Sequence, residues 1–111
     1  PGSESKLLKG LQLGCSGIIT ATCNATSGLA RKVYDDFQNG NEQKANQQLC
    51  DVRSAFEKYN LISGLHTYFG KNNLTYKNLL PPLSILNSGE AEELNTNLER
   101  LNFSTESFLA A

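Results

Sequence analysis

Residues 17–22, Gly-Ile-Ile-Thr-Ala-Thr, constrain the fold of this 111-residue chain more than any other stretch. They are short, apolar and β-branched, with Gly17 on one side and Asn24 on the other. That is the signature of a strand buried on both faces. A single strand cannot satisfy its own backbone, because every buried N–H and C=O needs a partner. The remaining apolar patterns all repeat with a helical period, so the partners of this strand are expected to lie outside these residues. A buried strand between helices belongs to a parallel sheet. The expected class is therefore α/β, with the chain as one part of a larger unit. The chain has no Met and starts at Pro1, which adds to the expectation that its function belongs to a longer parent.

The helical patterns are clear. Leu7, Leu8 and Leu11 stand at helical spacing, Ser3 or Ser5 suits the cap, and Gly14 suits the stop. Leu29, Val33 and Phe37 predict a helix over 27–39, closed by Gly40. Ala45, Leu49, Val52, Phe56 and Tyr59 follow a 4-3-4-3 rhythm and predict a helix over 42–59. That stripe buries one face and leaves Glu42, Lys44, Gln47, Gln48 and Arg53 in water. The two stripes together suggest a helical hairpin. A short helix is expected within 61–70, beginning near Ser63, and an irregular crossing over 71–82. A last helix starts near Ser88, where Glu90, Glu92 and Glu93 complement the macrodipole. Ala91, Leu94, Leu98 and Leu101 form its apolar side. The division expected is 1–40, then 41–103, then a tail at 104–111.

Composition excludes several classes. Hydrophobic residues make up 39% of the chain, too many for a disordered segment. No apolar run approaches the ~18 residues of a membrane span, so no membrane partner is expected. Ten Lys and Arg against eleven Asp and Glu lack the basic excess of a nucleic-acid binder. Cys15, Cys23 and Cys50 are odd in number and form no C-x-x-C pair, which fits a reducing, cytoplasmic setting. With His66 the only histidine, no metal site is expected. The glycosylation sequons at Asn24, Asn73 and Asn102 match chance for so Asn-rich a chain.

Three segments together carry a resemblance. Gly2-Ser3-Glu4 precedes a helix. Leu13-Gly14-Cys15-Ser16-Gly17-Ile18-Ile19-Thr20-Ala21-Thr22-Cys23-Asn24 follows. Gly64-Leu65-His66 and Leu80-Pro81-Pro82-Leu83 come later, in order. Residues 1–103 resemble the C-terminal part of the N-acetylneuraminate lyase and dihydrodipicolinate synthase family. The resemblance implies the end of a (β/α)8 TIM barrel plus a C-terminal helical extension, assembled as a homotetramer. Residues 4–13 would be the seventh barrel helix, 17–22 the eighth strand, and 27–39 the eighth helix. It also implies a class I aldolase, in which a lysine forms a Schiff base with pyruvate or a 2-oxo acid. That lysine, like the relay tyrosine, would lie upstream, so these residues are expected to be inactive alone. No cofactor is implied.

In such barrels chemistry sits at the C-terminal ends of strands, which this chain would reach at Gly2-Ser3 and at residues 19–24. By motif, Gly2 corresponds to a backbone position lining the pyruvate end of the pocket. Ile19 corresponds to an apolar wall beside the Schiff base, where burial keeps a lysine amine neutral; plain barrel core is the other reading. Glu4 matches a substrate-hydroxyl contact of the sialate lyase branch; a helix N-terminal carboxylate is its other reading. Ser5 and Ala21 depart from that branch. The stretch from Asn60 to His66 lacks the Asn-Pro-x-Pro-x-Lys pattern of the synthase branch. The resemblance implies a 2-oxo-3-deoxy sugar acid or sialic acid as substrate, with Ser5 and Ala21 counting against the second. Dihydrodipicolinate synthesis or a non-catalytic helical binding module is the alternative.

Overall fold

The computed structural model of the chain describes residues 1–104. The tail expected at 104–111 lies, beyond Ser104, outside the described residues. A 3-10 turn over Glu4–Lys6 leads into α1 (Leu7–Gln12). Then come α2 (Cys23–Gln38), α3 (Asn46–Glu57) and α4 (Leu61–Gly70). A second 3-10 turn, Leu74–Lys77, falls within the irregular crossing, and α5 is Ser88–Arg100.

Helix ends follow local chemistry. At the end of α1, Gly14 takes φ +93°. This allows Cys15 N–H to reach the Gly10 carbonyl (2.9 Å) and Gly14 N–H to reach that of Leu11 (3.1 Å). The pair of bonds is a Schellman motif, which favours glycine because φ is positive. Gly40 closes α2 in the same way. Asn102 does so for α5, with Phe103 N–H on the Leu98 carbonyl (3.0 Å) and both side chains buried. The start of α5 is a reciprocal capping box: Asn87 accepts from Glu90 N–H, and the Glu90 carboxylate accepts from Asn87 N–H. The true cap of α4 is Asn60, which accepts from Ser63 N–H, so that helix starts two residues before the expected Ser63.

The core is built by the expected stripes. Leu49, Val52 and Phe56 of α3 are wholly buried, as is Val33 of α2. Each such side chain contributes roughly 1.5–3 kcal/mol of burial. α3 is the central element: it packs on α2, α4, α5 and the first 3-10 turn. The hairpin of α2 and α3 forms as expected. Phe56 meets Tyr68 edge-on at 5.9 Å and Leu94 and Leu98 close the other side.

Two corrections follow. The strand expected over 17–22 is not formed; among the described residues there is no strand. Residues 15–20 have no regular structure, Ala21 and Thr22 form a turn, and α2 begins at Cys23, four residues before the expected Ser27. The reason is the one that made the stretch restrictive: no second strand is present to pair with it. Arg53, expected in water, is buried. α3 presents it toward the first 3-10 turn, where a carboxylate waits.

Candidate functional site

The three residues expected to face a substrate lie on two short segments. Gly2 is exposed, with open space where a Cβ would stand. Ile19 is 93% exposed on the non-helical apolar segment. These two segments are joined: Ile19 N–H donates to the Pro1 carbonyl at 3.1 Å. Glu4 is different. None of its surface is exposed, and its carboxylate goes into the protein.

The surroundings of Glu4 form a network. Oε1 accepts from Arg53 Nη1 at 3.1 Å, and Oε2 accepts from Thr26 Oγ1 at 2.8 Å. Arg53 Nη1 also donates to Thr22 Oγ1 at 2.9 Å. Thr22 Oγ1 lies 3.2 Å from Thr20 Oγ1, which accepts from Cys23 N–H at the start of α2. Arg53 Nε donates to Glu57 at 2.7 Å, one turn along α3. Burial works against the Glu4 charge. Hydrogen bonds from Thr22, Thr20, Thr26 and its own backbone outweigh it, and its pKa is held below the ordinary carboxylate value. The carboxylate is therefore ionised at neutral pH and has donors on both oxygens.

The segments of Gly2 and Ile19 form the rim of the expected pocket. Beside the second of them lies a cleft of about 280 Å³, lined by Ala21, Asn24, Ile62, Leu65, His66 and Tyr76, among others. It joins the turn before α2 to helix α4. His66 Nδ1 is 2.6 Å from the Tyr76 carbonyl. A carbonyl only accepts, so Nδ1 carries the proton there. A second cleft of about 440 Å³ lies between α4 and α5 and includes Tyr68, Lys71, Asn73 and Asn95. Neither cleft includes Gly2, Glu4 or Ile19.

Every lysine of the chain is exposed. An amine becomes nucleophilic at neutral pH by desolvation or a neighbouring cation, and none of these sits in a desolvated pocket. The cysteines are unpaired; Cys15 is exposed and the other two are half-buried. Among the described residues no three metal-binding side chains converge. No helix among them is long and apolar enough to cross a membrane.

The network escaped sequence reasoning. Arg53 lies off the apolar stripe of α3, which assigned it to the wet face. Thr22 and Thr26 offered a weak signal, two hydroxyls one helical turn apart. Nothing in the sequence linked them to Glu4.

Comparison with known proteins agrees with the order of the motifs. The model of the dihydrodipicolinate synthetase family matches residues 1–101. Two proteins from two strains of Halobacterium salinarum, each named an uncharacterized DapA-like lyase, are 26% identical over 103 residues. The match covers 90% of this chain and 34% of each relative. The chain thus spans about a third of the length of the curated relatives that it matches. No solved structure matches it significantly. With nearly its whole length inside the family model, this chain belongs to the dihydrodipicolinate synthetase family.

Proposed function

We propose that this chain is the C-terminal part of a pyruvate-dependent class I aldolase. In this reading residues 1–40 end a (β/α)8 barrel and residues 41–103 are its helical extension. The barrel's remainder supplies the strands that pair with residues 17–22 and the lysine that forms the Schiff base. The complete enzyme is a cytoplasmic homotetramer acting on a 2-oxo-3-deoxy sugar acid or a related 2-oxo acid. Gly2 and Ile19 face the pyruvate end of its pocket.

One observation carries the reading. In a chain that belongs to a lyase-containing family, an apolar β-branched segment leaves Ile19 93% exposed. The segment has no strand partner among the described residues, and a neighbouring strand would pair its backbone and cover its apolar side chains. The exposed lysines support the second half: with no desolvated amine here, the nucleophile belongs to the remainder.

The test is reductive trapping. The complete protein is incubated with pyruvate and borohydride, then digested and mapped by mass spectrometry. An adduct on a lysine outside this segment is expected. An adduct on Lys6, Lys9 or any other lysine of this chain would refute the assignment. Absence of any adduct would favour the non-catalytic helical module, for which the packed core of α2 to α5 provides a structural basis. The synthase of lysine biosynthesis remains the alternative within the family, and substrate profiling of the untreated enzyme separates the two.

A further inference from the structure

We propose that Arg53 is a positioning residue for the substrate pocket, holding both rim segments in register from the helical extension; this rests on the aldolase reading above. The geometry is specific. One nitrogen, Nη1, donates both to Glu4 and to Thr22. Glu4 lies two residues after Gly2, and Thr22 three residues after Ile19. The same guanidinium is braced on α3 by Glu57. A single side chain of the extension therefore fixes the ends of both segments that carry the expected pocket residues.

Such a network is a poor way to gain stability. Desolvating a buried ion pair costs about as much as the pairing returns, and apolar residues of equal volume would hold the elements as well. What charged hydrogen bonds add is direction and register. A guanidinium is planar, so with Nε held by Glu57 its Nη1 meets Glu4 and Thr22 only when both segments occupy one position relative to α3. The Ile19–Pro1 backbone bond alone would let the two segments slide together. Arg53 fixes them to α3.

Glu4 takes on a different role in this arrangement. Its oxygens are held by Arg53 and Thr26, so it anchors the rim and does not read substrate hydroxyls. Exposed polar groups on the same segments, such as Ser5 and Asn24, remain to do that.

The test uses the complete enzyme with Arg53→Lys and Thr22→Val. Lysine keeps a charge for Glu4 but has one nitrogen, so it cannot reproduce the Nε bond to Glu57 and the Nη1 bonds to Glu4 and Thr22 together. Valine keeps the shape of Thr22 and removes its acceptor. Arg31→Ala, which breaks the exposed pair with Asp35 and the stacking on Tyr34, neither of them part of this network, is the control. We expect both variants to melt near the wild type and to form the pyruvate adduct at saturation. KM for the 2-oxo acid should rise on the order of tenfold to a hundredfold, the scale set by small misplacements of binding groups. The control should match the wild type. Folded variants with KM and kcat within twofold of the wild type would overturn the proposal. So would failure of both variants to fold, since Arg53 would then be only structural. A wild type that traps no pyruvate sinks the aldolase reading itself, before any variant is compared.

Discussion

Replacing Arg53 with methionine removes the charge while keeping most of the volume. Glu4 is then a fully buried carboxylate that keeps its threonine hydrogen bonds but has lost its cation. Breaking a buried pair from one side costs about 3–5 kcal/mol, because the other charge stays uncompensated. The cost should depend on pH, and the sign follows from linkage. In the wild type the Glu4 pKa is lowered from its ordinary 4.5. Its contribution to stability is therefore present above pH 4.5 and lost as the pH falls through the folded-state value. In Arg53→Met the guanidinium no longer favours the charged form, so the folded-state pKa of Glu4 is higher than in the wild type. The variant gains stability relative to the wild type on acidification, so the difference between them shrinks. Urea unfolding followed by circular dichroism, at pH 7 and again near pH 4, measures both numbers. Glu4→Gln with Arg53→Met completes the cycle and should recover much of the loss at pH 7, since no buried charge is left. A cost below about 1 kcal/mol at pH 7, the range of an exposed ion pair, would refute this account. A cost that does not change with pH would refute it as well.

Other parts of the chain make further predictions. Asn87→Ala removes the capping box of α5 and should cost about 1 kcal/mol, read as a lower urea midpoint with an unchanged slope. Glu93→Gln should bring Tyr59 down from its pKa of about 12 toward 10, followed by tyrosinate absorbance. The shift comes from burial first, then the hydrogen bond to Glu93, then the negative charges of Glu93 and Glu90. Gly70→Ala places a Cβ 2.9 Å from Lys77 Cγ. That clash is near the root of the Lys77 side chain, which must swing away, so the change should lower the melting temperature despite the better helix propensity of alanine. Unchanged or raised stability would mean that the Lys77 stem moves aside freely.

Much of the helical layout was legible because its signals are local. A Leu49–Val52–Phe56 stripe, a Gly14 or Gly40 stop and an acidic first turn each act within one or two turns of chain. Those features survive whatever the rest of the molecule does. The motifs around Gly2-Ser3-Glu4 and residues 13–24 likewise pointed to the family from the sequence alone. The strand was a different matter. The β-branched run at 17–22 states a preference, but a ladder needs a second strand, and no propensity substitutes for it.

What tertiary structure decided is the fate of the charged residues. Helical period assigned Arg53 to the wet side of α3, and Glu4 had two plausible roles. Their contact spans 49 positions in the chain and exists only because α3 lies across the 3-10 turn that carries Glu4. Periodicity reports which residues prefer to avoid water. It does not report which two charges meet once helices are packed, because that depends on crossing geometry rather than on either residue's neighbours in sequence.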